Sequence, residues 1–132
     1  MVKGQHINVK ALFNYYYDFF HIVDDYYLQG WLSSAKQKKW WKSNAPEKLY
    51  KYDYIVALFM HSFSWSFMIM LPLAFYFNFE LPVLFFFLFA LNIIIHAWVD
   101  HLKANKLKIN LIIDQSIHLI QIIATALLLL FL

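Results

Sequence analysis

At 132 residues, with 62% of them hydrophobic and only 14% charged, the chain is too short to hide its apolar surface from water, which excludes an ordinary soluble domain. It holds no cysteine, which excludes disulfides, thiolate metal sites and cysteine nucleophiles. The net charge of +3 comes entirely from lysines set beside hydrophobic segments, so it reads as a membrane-orientation signal, and no nucleic-acid partner is expected.

The expected fold is an all-α membrane protein, a compact bundle of four transmembrane helices in a single domain covering residues 1–132. The first ten residues carry His6, Asn8 and two lysines without an apolar run, so no signal peptide is expected. The first helix is placed at residues 12–32. It is aromatic but bears Asn14, Asp18, His21, Asp25 and Gln29 at spacings of three and four, which puts a polar stripe on one helical face. Spanning with that stripe inward is favoured over lying flat in the interface. Residues 33–53 form a lysine-rich connection with Lys36, Lys38, Lys39, Lys42, Lys48 and Lys51.

The second helix is placed at residues 54–77, with Pro72 expected to kink its far end. The third covers residues 81–102 and the fourth residues 109–132; each is long and apolar enough to span. Lys103, Lys106 and Lys108 fall in the turn between these last two. Four spans put both lysine-bearing connections on one side, nine lysines against Lys3 and Lys10 on the other. The positive-inside rule then places those loops in the cytoplasm and both termini outside, in a multi-pass protein of the inner (cytoplasmic) membrane. Trp31, Trp40, Trp41, Tyr50, Tyr52 and Tyr54 fit an aromatic belt at that interface.

Polar side chains inside spanning helices are costly, so their positions carry the most information. His21/Asp25 and His96/Asp100 are i,i+4 pairs, Asp114/His118 is the reverse pair, and His61 stands on the second helix. Each spacing of four puts both members on one face, a turn apart. Counted inward from Leu32, Asp53, Lys103 and Ile109, the four histidines lie roughly 10–17 Å below the lysine-bearing interface. Antiparallel helices thus bring His21, Asp25, His61, His96, Asp100, Asp114 and His118 toward one layer.

Neutral imidazole and carboxylate are ligands for zinc, manganese or non-haem iron, and facing helices of a bundle are an established scaffold for such sites. A divalent transition metal is expected, zinc first, as one or two ions. Asp25 or Asp114 is expected to act as base, with Gln29, Lys103 and Gln115 around the ligands or on substrate. A lone histidine in a membrane helix would more often be packing glue. His6 and His101 are expected outside the site, and Asp24, about 100° from Asp25 on an α-helix, is expected to cap or to pair with a loop lysine. Lys103 is expected to snorkel or to neutralise Asp100. The YYY and FFF runs are expected to face lipid.

The order His21, Asp25, Leu28, Gln29, Trp31, then His61, then His96, Asp100, Lys103, then Asp114, Gln115, His118 resembles the domain-of-unknown-function 3307 family of small bacterial and phage membrane proteins. The resemblance runs over nearly the whole chain and departs at Asp24 and Tyr26. It implies a polytopic membrane protein with a shared polar site and implies no activity. Three functions follow as expectations: a metal-dependent hydrolase of a lipid-linked substrate, a metal or proton pathway, or a small membrane interaction subunit.

Overall fold

The computed structural model describes residues 18–131, and every regular element among them is helical. α1 (Asp18–Ile22) runs directly into a π-helical turn (Val23–Leu28). Gly30, at φ +43°, then redirects the chain into α2 (Leu32–Ala35) and α3 (Lys38–Asn44); that left-handed conformation suits a residue without a Cβ. A short 3-10 turn (Lys48–Tyr50) leads to the three long helices α4 (Asp53–Tyr76), α5 (Val83–Ala104) and α6 (Leu111–Phe131). Asn110 opens α6 by accepting the Ile113 amide on its side-chain oxygen at 2.9 Å, a side-chain substitute for the missing first-turn partners. Pro72 lies inside α4, near its end.

α4, α5 and α6 are each long and apolar enough to cross a membrane. Their packing is inverted relative to a protein folded in water. Phe59, Phe63 and Phe67 of α4, Phe86, Phe87 and Ile94 of α5, and Ile112 and Ile120 of α6 are exposed, while His61, His96, Asp100, Asp114 and His118 are buried. Lipid-facing apolar side chains and inward polar ones are what a hydrocarbon solvent selects. Of the FFF run, Phe85 turns into the core and only Phe86 and Phe87 face outward.

The core is divided along the helix axes. Trp65, Ile69, Met70, Leu73, Phe85, Leu88, Ile122, Ala126 and Leu129 form an apolar cluster, and the His/Asp residues fill the end nearer the lysine-rich connection. The described part of the first segment is α1 with its π turn, 5 and 6 residues long, against about 20 for a full crossing. Residues 12–17 of the expected first helix, with Asn14 and the YYY run, lie outside the described residues, as do Lys3, His6 and Lys10.

Asn105, just past α5, pins the lysine-rich connection to the bundle. Its Oδ1 accepts the Lys38 amide at 2.6 Å and its Nδ2 donates to the Lys36 carbonyl at 2.9 Å. Trp31, Trp40 and Trp41 meet edge to face, and the Trp41 indole donates to the Ala35 carbonyl. This connection is therefore a packed cap rather than a free loop, and it fixes where Lys36 can reach.

Candidate metal centre

One buried cluster draws on the first segment and all three long helices: His21 and Asp25 from α1 and the π turn, His61 from α4, His96 and Asp100 from α5, Asp114 and His118 from α6. Two groups of three offer ligand atoms within 4.8 Å of one another, Asp25/His61/His96 and His96/Asp100/His118. His61 Nε2 lies 3.1 Å from His96 Nε2, 3.3 Å from Asp100 Oδ2 and 3.5 Å from Asp25 Oδ1, and His96 Nε2 is 3.9 Å from Asp100 Oδ2. A tetrahedral zinc site with ordinary bond lengths has ligand atoms about 3.3–3.5 Å apart. The spacings within the triangle of His61 Nε2, His96 Nε2 and Asp100 Oδ2, 3.1–3.9 Å, bracket that value, so these three atoms fit around one ion with little movement, with Asp25 beside them next to His61.

Asp100 extends the arrangement. Its Oδ2 faces His61 and His96, while its Oδ1 lies 3.6 Å from His118 Nε2, which in turn is 3.4 Å from Asp114 Oδ1. Asp100 thus stands between the two groups of candidate ligands, one oxygen toward each. Several of these atoms have no hydrogen-bond partner: His118 Nε2, Asp114 Oδ1, and the Nδ1 atoms of His61 and His96. Buried polar atoms in an apolar surround are costly when unpaired. A cation between His118 Nε2 and Asp114 Oδ1 would satisfy both.

The supporting residues set ring orientations. The Trp65 indole donates to His21 Nδ1 at 2.8 Å, and His21 Nε2 lies 3.1 Å from Gln115 Oε1. Both His21 nitrogens are therefore engaged, and the Trp65 bond makes Nδ1 the acceptor and Nε2 the donor. Trp65 also stacks on His96 with centroids 4.2 Å apart, and His96 stacks on His118 at 4.1 Å. On the far side Gln121 Nε2 donates to Asn92 Oδ1 at 3.0 Å, and Asn92 Nδ2 donates to Thr125 Oγ1 at 2.8 Å. That chain turns Gln121 Oε1 toward His118 Nδ1, 3.3 Å away, which assigns a proton to Nδ1 and leaves Nε2 facing the two aspartates. Outer partners of this kind orient metal-binding imidazoles.

Two lysines close the cluster toward the cap. Lys36 Nζ donates to Asp100 Oδ2 and Lys103 Nζ to Asp114 Oδ2, each at 2.6 Å, and Gln115 Nε2 donates to the same Asp114 oxygen at 2.9 Å. Asp25, Tyr26, Gln29, Lys36, Asp100, Lys103, Asp114 and Gln115 line a small cup of about 60 Å³ there. The cup is large enough for one or two waters or a small anion.

Several placements differ from the sequence reading. Asp24 neither caps nor pairs with a lysine among the described residues: it is fully buried and accepts from Ser64 Oγ at 2.5 Å. The reason is the π turn, whose Gln29 amide bonds back to the Asp24 carbonyl at 3.1 Å, a wider turn than an α-helix makes. Asp24 and Asp25 both reach the interior as a result. Lys103 serves Asp114 rather than Asp100. Lys36 and Trp65 were missed. Trp65 stands four residues after His61, a spacing that could have flagged it; nothing in the sequence separates Lys36 from its neighbouring lysines. His101 stacks on Tyr54, centroids 6.2 Å apart, away from the cluster.

No protein-family model, curated protein or solved structure matches the chain. The structure thus carries three helices of membrane-crossing length and buried His/Asp groups that could hold a metal ion.

Proposed function

We propose that this chain is a four-span membrane metalloprotein that holds one or two divalent transition-metal ions, zinc first, and uses them to hydrolyse a lipid-linked substrate reached from the cytoplasmic leaflet. The observation carrying the reading is the close triangle of His61 Nε2, His96 Nε2 and Asp100 Oδ2 directly beneath a polar cup that Asp25 also lines. A closed structural site would fill its coordination shell with protein atoms, whereas a site beside an open space leaves room for water or substrate.

A divalent ion at this position supplies Lewis acidity and a water of lowered pKa. Asp25 lines the cup and has no lysine partner among the described residues, unlike Asp100 and Asp114. It is the residue placed to take a proton from that water. Asp114, held by Lys103 and Gln115 and facing His118, would hold a second ion together with His118. His21, held by Trp65 and Gln115, positions its neighbours. Membership of the domain-of-unknown-function 3307 family belongs to the same reading.

A transmembrane pathway is less well supported. Beyond the His/Asp layer the described core holds the uncharged Gln121–Asn92–Thr125 chain and then the apolar cluster around Ile69, Met70, Leu73, Leu88 and Leu129, none of which carries a titratable group. Cobalt substitution tests the proposal. The Co(II) protein is expected to show the strong visible bands of a four-coordinate His/carboxylate site, and azide is expected to shift them by entering the open position. A six-coordinate spectrum indifferent to azide would contradict catalysis at this site, and failure to bind cobalt or zinc would contradict the whole reading.

A further inference from the structure

The cup above the cluster has a charge problem that the metal itself creates. Its lining holds three carboxylates, Asp25, Asp100 and Asp114, and two ammonium groups, Lys36 and Lys103. Without metal the lining carries a net charge of about one negative, and both lysines are spent on carboxylates that ligand duty would also claim. One divalent ion turns the net charge positive, and a second raises it further. Uncompensated charge in so enclosed a place is expensive. Lys36 is held over the cup by the Asn105 clamp on its backbone and its side chain is 14% exposed, so it cannot simply leave for solvent.

We infer that the cup is a phosphate-binding subsite assembled by the metal. Metal binding takes over the neutralisation of Asp100 and Asp114, and Lys36 and Lys103 are released to a phosphate group lying between them. The inference rests on the proposed metal site and names the substrate class for it: a phosphate ester, presented either by a lipid headgroup or by a soluble molecule. Phosphate suits the geometry because two ammonium groups converge on one small volume from different parts of the chain, Lys36 just after α2 and Lys103 on α5, and because the Gln29 and Gln115 side chains line the same cup. Gln29 Oε1 is buried without a hydrogen-bond partner, and the amide would meet a phosphate only by turning its Nε2 donor toward it. No covalent step is needed for the inference; it concerns binding alone.

Reciprocity makes it testable. If metal binding creates the phosphate site, phosphate must tighten metal binding by the same factor, roughly 5–150-fold for ordinary coupling between sites. Zinc affinity is to be measured in maltoside micelles with and without inorganic phosphate. It is then measured in phosphatidylcholine nanodiscs with and without phosphatidic acid. Tightening by inorganic phosphate supports the subsite and a soluble or lipid source alike. Tightening by phosphatidic acid alone supports it and assigns the source to the lipid headgroup.

Lys36→Met and Lys103→Met are expected to bind zinc at least as tightly as the parent, since a competitor for the ligand carboxylates is gone, yet to lose the phosphate effect. If zinc binds and neither phosphate source changes its affinity, the subsite is overturned while the metal site stands. The same holds if the lysine variants keep the full phosphate effect. If zinc does not bind at all, the metal proposal itself is lost. Should a lysine variant fail to fold, the phosphate dependence of zinc affinity in the unaltered protein decides the question alone.

Discussion

Replacing Asp100 by asparagine removes one charge from the centre of the cluster while keeping side-chain volume. In the metal-free protein Asp100 holds the Lys36 ammonium at 2.6 Å, with the two side chains 4% and 14% exposed, and its carboxylate also lies 3.3 Å from His61 and 3.6 Å from His118. Breaking a buried pair by removing one partner leaves the other charge stranded, which costs about 3–5 kcal/mol. The second substitution, Lys36→Met, relieves that stranded charge. The double variant is therefore expected to regain at least about 2 kcal/mol over Asp100→Asn alone, because replacing both partners by uncharged groups is often close to neutral. The assay is unfolding of chelator-treated protein in mixed micelles by SDS titration, followed by tryptophan fluorescence. A single variant within about 1 kcal/mol of the parent, or a double variant no better than the single, would refute the reasoning. Either result would mean that the Lys36–Asp100 pair is not effectively buried.

Three further outcomes are expected. A Ser43→Cys variant should be labelled by impermeant thiol reagents only after the cells are opened, because the two lysine-bearing connections hold nine of the eleven lysines in the sequence; labelling from outside intact cells would reverse the expected topology. Trp65→Phe keeps the stack on His96 but removes the indole donor to His21 Nδ1, and should weaken zinc binding about 10–100-fold, the usual effect of losing an orienting partner; unchanged affinity would remove His21 and Trp65 from the site. His61→Ala and His118→Ala together should cost metal affinity much less than the sum of the singles, because the first already disables the shared site, with His101→Ala as a control near parental affinity. Strict additivity would point instead to independent packing contacts.

The sequence was most informative where the helix is regular. On α4, α5 and α6 the spacing of four in His96/Asp100 and Asp114/His118, and the matching depth of His61, follow from a constant pitch, and the fold keeps that pitch. The expense of polar groups in an apolar chain did the rest: few such residues are present, and they have few places to go. Where pitch changes, the reading failed. Asp24 enters the core because Val23–Leu28 winds as a π turn, and no hydrophobic period announces one extra residue in a turn. Lys36 reaches Asp100 from an element sixty-four positions away, through a cap held by Asn105 and three tryptophans. Such a contact depends on tertiary docking that local pattern does not encode. The engaged nitrogens of His21 were likewise invisible, since donor and acceptor roles belong to neighbours on other helices.

A metal centre and a polar packing layer would place the buried histidines and aspartates alike but differ in what they hold. The most direct test between them is the metal content of protein purified without chelators, measured by elemental analysis alongside His96→Ala, which removes the residue common to both ligand groups. The parent is expected to carry about one or two zinc, manganese or iron ions per chain and the variant to show a clear loss. A parent protein that carries none of these metals, and gains no thermal stability when each is added back, would contradict the metal centre.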